Sequence, residues 1–359
     1  MDRRNFILGA GVAAAGTALA APAIAQGTRT LKLATPWPAN LPGLSDSVAR
    51  LVARIAAMTD GRIVIEPHTG GGLAPGFEEF AAAADGRADL YHGPDYYYAA
   101  LHPALNFFTN TPFGFTPGEH VAWLRHGGGQ MLWDRLSGGL GIKPLLAGNT
   151  GTQMAGWFKR PIETLADVRG LNFRMPGLGG EVWRRLGMNV VALPGNEILP
   201  ALQDGRLDGA DWIGPWNDLA FRLHEVASHY YFPTVLEGSA TVTLGVNLGV
   251  WQSLSSADRA IFEIACEAEH QAMMAEFHHN NAVALGTLAG HGVTLHELSG
   301  DIVAALAEAT PGVIADTAGD DPLANEIVAS IRSARSTYRR WTEIGEGAFV
   351  DARAGTPDW

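Results

Sequence analysis

Hydrophobic positions in the first third of the chain alternate between two periods. Leu31 to Thr35 (LKLAT) reads as a short strand, and Ser45 to Met58 sets Val48, Leu51, Val52, Ile55 and Ala56 at helical spacing. Ile63 to Glu66 is a second strand, Phe77 to Ala84 a second helix and Ala88 to His92 a third strand. This β-α-β-α-β order predicts a mainly parallel sheet covered by helices. Asn106 to Phe115 is apolar but broken by Pro and Gly, and reads as irregular chain through the core. Glu119 to Leu136 is helical, weakened or bent at Gly127-Gly128-Gly129. Lys143 to Ala147 is strand-like and leads into a second unit. There Leu171 to Phe173 forms a strand ending at Arg174, followed by a Pro176–Gly180 loop that opens a helix. Ala240 to Asn247 is a β-rich return to the first unit. Ser255 or Ser256 caps a long helix to about Leu285. Pro322 to Ile344 is amphipathic, with Leu323, Ile327, Val328, Ile331, Tyr338, Trp341 and Ile344 on roughly one face. That face predicts packing on its own lobe or a contact between two copies of the chain.

The two units carry a weak echo. Pro75-Gly76 through Asp85-Gly86-Arg87-Ala88-Asp89 matches Pro194-Gly195 through Asp204-Gly205-Arg206-Leu207-Asp208 at one constant offset, and a Gly-Pro follows each strand, at Gly93 and Gly214. Glycine at a helix end is a common stop in the left-handed region, so the alternative is coincidence. The echo predicts two similar α/β lobes whose strand ends meet in a cleft, where open α/β sheets bind ligands.

The N-terminus lies apart from this pattern. Met1 to Gln26 has a charged start, an apolar run from Phe6 to Ala20 and the small-residue end Ala23-Ile24-Ala25. It reads as an export signal, residues 1–25, and Arg3-Arg4 before Asn5-Phe6-Ile7-Leu8 points to the twin-arginine route rather than an ordinary Sec signal. The run is too short to span a bilayer stably. Cleavage after Ala25 predicts a free, exported chain. The formal net charge of −12 becomes one unit more negative once Asp2, Arg3 and Arg4 are removed. An acidic surface argues against nucleic acid and anionic membranes as partners. The single Cys266 forms no internal disulfide and sits in an apolar helical run, as a buried hydrophobe would.

Few motifs support catalysis. His224 and His229 are five apart, about 140° around a helix, so they miss the zinc-protease spacing. Gly70-Gly71-Gly72 lacks the Lys-Ser/Thr of a phosphate loop, and no G-x-S-x-G elbow is present. His278-His279 with Glu276 reads as a solvated helix face. Binding chemistry is better represented. Arg174, against a Gly-rich helix start, offers a two-point charged contact to a carboxylate. Asp211 with Trp212, and Glu237, are hard-oxygen sources, and Gln153 offers an amide oxygen to a cation or an N–H to the ligand, as a substrate-binding residue. Two carboxylates beside a bound carboxylate repel unless a cation such as Na⁺ or Ca²⁺ lies between them. Tyr96-Tyr97-Tyr98 follows the third strand, where a cleft wall belongs. The competing reading is an exported metal-dependent enzyme acting on a carboxylate, with the acidic pair as its only candidate base; a third is a sensor lobe without a transport role.

Three stretches carry a resemblance: Asn149 to Phe158 (NTGTQMAGWF), Phe173 to Gly180 (FRMPGLGG) and Trp212 to Asp218 (WIGPWND). With the LKLATPWP, GGGLAP and FFTNTPFG runs, they resemble the periplasmic solute-binding proteins of TRAP transporters, nearest the branch that binds 2-oxo acids or lactate with a metal ion. The resemblance covers nearly the whole mature chain. It implies a two-lobed α/β periplasmic binding fold with a central cleft, a strand-and-helix hinge and long C-terminal helices. Lobe I would comprise 27–150 with about 240–300, lobe II 151–239, and the C-terminal helices 301–359. It implies that Arg174 holds the substrate carboxylate, that Gln153, Asp211, the Trp212 carbonyl and Glu237 hold Na⁺ or Ca²⁺, and that Tyr97 and Asn149 line the pocket. Position 211 is Asp where some 2-oxo-acid binders have Glu, which leaves both ions open. Tyr98 and Trp216 are expected to reshape the pocket. Membrane permease subunits and a homodimer built with the C-terminal helix are the implied partners, and the periplasm the implied location.

Overall fold

The computed structural model describes residues 27–357; the signal segment read at 1–25 lies outside them. The strands in chain order are β1 (Arg29–Ala34), β2 (Ile63–His68), β3 (Leu90–Gly93), β4 (Ile142–Asn149), β5 (Gly156–Phe158), β6 (Asn172–Arg174), β7 (Asn189–Val191), β8 (Gly209–Ala210), β9 (His229–Phe232), β10 (Thr241–Asn247) and β11 (Thr294–Glu297). They form two sheets, ordered β2-β1-β3-β10-β4 and β11-β9-β5-β8-β6-β7. In the first, β2, β1 and β3 are parallel and β10 runs antiparallel to β3 and β4. In the second, β7, β6 and β8 are parallel and β5 runs antiparallel to β8 and β9. Each sheet therefore takes its fourth strand from chain arriving out of the other lobe.

The sequence echo is structural. Gly86 and Gly205 both sit at φ 84° after their helices, a region in which glycine meets no steric penalty. Arg87 folds back onto Asp85 and Arg206 onto Asp204. Two residues beyond, the Asp89 N–H donates to the Lys32 carbonyl while its carboxylate accepts the Lys32 N–H at 2.7 Å. Asp208 does the same with Asn172 at 2.8 Å. Identical bonds join the entry of β3 to β1 and the entry of β8 to β6.

Three connections cross between the lobes: residues 150–155, residues 233–240, and the helix Ser256–Gly290. That helix packs on β4 and on the helix Leu44–Met58 of the first lobe, and on the helix Pro215–Ala220 of the second. Its buried Glu269 receives both Arg50 and Arg54, and Cys266 is buried on its inner face. The helix then delivers β11 to the edge of the second sheet, parallel to β9. Residues 294–297 thus pair outside the lobe to which the sequence reading gave the whole of 240–300; a 35-residue helix carries the chain across before that strand begins. The helix expected over 119–136 is two helices, Pro117–His126 and Gly129–Gly139, because Gly128 takes φ 84° between them.

The helix Gly300–Ala318 packs on Gly177–Arg185, and Pro322–Thr342 packs on Pro117–His126 and Gly129–Gly139. Ile327, Val328 and Ile331 are buried there, but Trp341, Ile344 and Phe349 beyond them are more than 60% exposed. The apolar face read from the sequence therefore ends in an uncovered patch. Among the described residues no helix is long and apolar enough to cross a membrane.

Close packing at the centre of the first sheet yields a stability prediction. A Cβ on Gly245 would lie 1.9 Å from the ring of its cross-strand partner Tyr91, which is fully buried. Gly245→Ala should cost about 3 kcal/mol by overpacking, read as a lowered denaturant midpoint; an unchanged midpoint contradicts the packing.

Candidate functional site

Arg174 ends β6 and is 1% exposed. Its Nε donates to the Leu193 carbonyl at 3.0 Å and its Nη1 to the Asp211 carbonyl at 2.8 Å, while the guanidinium lies 5.1 Å from the Trp212 ring centre. Nη2 reaches across to the Tyr97 hydroxyl of the other lobe at a long 3.4 Å. Among the described residues no carboxylate lies within ion-pair distance of it. A buried cation with only neutral partners is costly unless an anion joins it.

The neighbouring oxygens show the reverse deficit. Three backbone bonds set four segments side by side: Asp211 N–H to the Arg174 carbonyl, Met154 N–H to the Ile213 carbonyl, and Gln153 N–H to the Glu237 carbonyl. Gln153, Asp211 and Glu237 are each at most 5% exposed. Gln153 gives its Nε2 to Thr150 Oγ1 at 3.0 Å, which leaves its Oε1 without a partner. Asp211 Oδ2 and both carboxylate oxygens of Glu237 are also buried and unpartnered. Burial pushes the Glu237 carboxyl up to about 7, with Arg174 and then the nearby Asn110 amide, whose approach falls short of full hydrogen-bond geometry, pulling against it. Asp211 is raised well above its ordinary range, first by burial and then by the charge of Glu237. Two ionised carboxylates are not stable here without a positive charge between them.

No three His, Cys, Asp or Glu side chains gather at one point among the described residues. The available donors are two carboxylates, one amide oxygen and backbone carbonyls. That all-oxygen set fits Na⁺ or Ca²⁺ and not a thiolate- or imidazole-seeking ion.

Supporting residues hold this arrangement. Asp218 accepts Trp157 Nε1 at 2.8 Å and the Tyr230 hydroxyl at 2.7 Å on one oxygen, and the N–H groups of Ile213 and Gly214 on the other. It fixes the turn that carries Asp211 and Trp212, although burial lifts its carboxyl to about 6. Asp95 takes the Trp133 indole at 2.7 Å and the Tyr91 hydroxyl at 2.8 Å at the matching place in the first lobe, beside Tyr96 and Tyr97. The Gly-Pro before each aspartate was the signal for these two; the aromatic partners lie on distant strands and left none. Trp37, also missed, lines the pocket with Tyr97 and Gln153 and donates its indole N–H to His92 Nδ1 at 3.0 Å.

Several expected residues lie elsewhere or act differently. Asn149 spends its Nδ2 on Ser239 and its Oδ1 on the Gly151 N–H, tying the two crossing segments together. Tyr98 is turned into the core against Phe80 and Tyr91, so it does not shape the pocket. Trp216 packs on Phe277 behind the site. His224 and His229 are not on one helix: they occupy a 3₁₀ turn and the start of β9, and each faces a histidine from the segment around β11.

Two α/β lobes joined by crossing segments, with an unpaired arginine and unpaired oxygens at their junction, define a solute-binding receptor. The lobes touch where Gly76 abuts Pro194 and Gly177 abuts Tyr96. The chain belongs to the bacterial extracellular solute-binding proteins, family 7, whose model matches residues 34–320. It is similar to a monocarboxylate 2-oxoacid-binding periplasmic protein of Nostoc sp., 33% identical over 357 residues, 97% of this chain and 98% of the relative. A TRAP transporter solute-binding protein of Bordetella bronchiseptica, a mixed-occupancy dimer with copurified calcium and picolinate, is 31% identical, with a TM-score of 0.89 over 91% of this chain and 97% of that one. A TRAP periplasmic solute-binding protein of Pseudoalteromonas atlantica, with sodium and pyruvate bound, is 28% identical, with a TM-score of 0.87 over 90% and 99%. The protein is a periplasmic solute-binding receptor of the TRAP type. The family and these relatives are transport receptors rather than enzymes.

Proposed function

We propose that the receptor captures a small monocarboxylate, a 2-oxo acid such as pyruvate or a 2-hydroxy acid such as lactate, together with Na⁺ or Ca²⁺. Arg174 takes the carboxylate, and Tyr97 meets the ligand from the other lobe. Gln153, Asp211, the Trp212 carbonyl and Glu237 hold the cation, which is chelated by the carboxylate and the adjacent ligand oxygen. Asn149 supports the pocket wall through the crossing segments. The observation that carries this reading is the pairing of one buried, unneutralised guanidinium with four buried, unpartnered oxygens on Gln153, Asp211 and Glu237. A carboxylate and a cation together satisfy both sets, which neither does alone. Contact with both lobes gives the ligand a higher affinity for the closed form, and that difference drives closure.

The loaded receptor delivers its solute to the TRAP membrane permease, reaching the periplasm through the signal at residues 1–25. The exposed Trp341, Ile344 and Phe349 are the surface through which two copies pair. A native mass spectrum of freshly purified protein should show a dimer carrying a small organic acid and a metal ion in each site. A spectrum with a bulky or neutral molecule and no ion contradicts the reading.

A further inference from the structure

The pocket bounded by Trp37, Gln153 and Trp212 is small, about 20 Å³. It shares Tyr96 and Tyr97 with a second cavity of about 360 Å³ at the lobe junction. Phe77, Pro103, Pro176 and Leu178 give that cavity apolar walls. One polar group in it is unmatched. Asn106 is 6% exposed, and its Nδ2 donates to the Pro103 carbonyl at 2.9 Å. That bond fixes the amide so that Oδ1 points away, toward Gly177, where it has no partner. Gly177 opens the nine-residue helix Gly177–Arg185, whose N-terminus has no side-chain cap. Its first N–H groups are donors without intrahelical partners. Donors and an acceptor thus face the same space without bonding to each other.

A hydroxyl matches that arrangement, because it accepts from an N–H and donates to Oδ1 at once. A carboxylate is repelled by Oδ1 and by Glu181 at the rim. An ammonium is opposed by the positive end of the helix dipole. We propose that this cavity receives the far end of the ligand, so that the solute is a 2-oxo acid with a chain extended beyond pyruvate and a hydroxyl near its end. This rests on the carboxylate-and-cation reading given above.

The test is calorimetric titration of the full receptor, in calcium buffer, with pyruvate and two matched pairs: 2-oxobutyrate against 4-hydroxy-2-oxobutyrate, and 2-oxopentanoate against 5-hydroxy-2-oxopentanoate. At least one hydroxylated acid should bind about five- to tenfold tighter than its partner, the scale of one buried hydrogen bond. Asn106→Leu should abolish that gain and leave pyruvate affinity unchanged, which also reports that the variant folds. Equal affinities within both pairs, or a gain that survives Asn106→Leu, overturn the proposal while pyruvate binding keeps the broader reading intact. Failure of every 2-oxo acid to bind overturns both.

Discussion

Arg174→Ala lowers the affinity for a 2-oxo acid by at least about 2 kcal/mol, roughly thirtyfold. The side chain is buried, its Nε and Nη1 are anchored on two carbonyls, and Nη2 has only a long contact to Tyr97. What remains free is the edge that meets a carboxylate. Truncation removes the charge-assisted pair and leaves the ligand's carboxylate buried without a partner, which is the larger part of the cost. Arg174→Lys should recover little, because one ammonium cannot keep both anchors and also present two donors. Tryptophan fluorescence reads the titration, since Trp212 and Trp37 flank the pocket. An unchanged dissociation constant removes Arg174 from the site.

Glu237→Gln changes stability in two opposite directions. Without a cation, both oxygens of Glu237 are buried and unpartnered beside a second raised carboxylate. Replacing one charge with an isosteric amide relieves that conflict, so the metal-stripped variant should melt higher than the metal-stripped wild type. Calcium reverses the order. At about one hundred times its dissociation constant a ligand stabilises the folded state by about 2.7 kcal/mol, and the variant should lose most of that gain. Differential scanning fluorimetry with chelator and with calcium measures both signs. Equal calcium shifts in the two proteins, or a less stable stripped variant, contradict the cation site.

The elements that local pattern controls were legible. Apolar spacing placed the first three strands, and the Asp-Gly-Arg repeat foretold matching lobes because each Gly takes the same left-handed turn. Arg174 stood out because a strand end followed by a Gly-rich helix start is a local signature. What depends on distant partners was not legible. Nothing near Asp218 in sequence announces Trp157 and Tyr230, which arrive from β5 and β9. Tyr97 and Tyr98 are adjacent, yet one meets Arg174 and the other enters the core; the 3₁₀ turn over Asp95–Tyr98 sends neighbours to opposite sides. Asn149 lies at the crossing, but its polar groups serve the backbone there. The fate of β11 was hidden for the same reason, since an edge strand is assigned by its partner and not by its own four residues.

Acid and cation need each other at this site. Binding free energies are reciprocal: if the cation strengthens pyruvate binding, pyruvate strengthens cation binding by the same factor. Metal-stripped protein in sodium-free buffer should therefore be titrated with pyruvate, without and then with calcium, and with calcium, without and then with pyruvate. We expect each ligand to tighten the other by one common factor of at least about ten. Pyruvate binding with the same affinity in the presence of chelator would contradict the shared site.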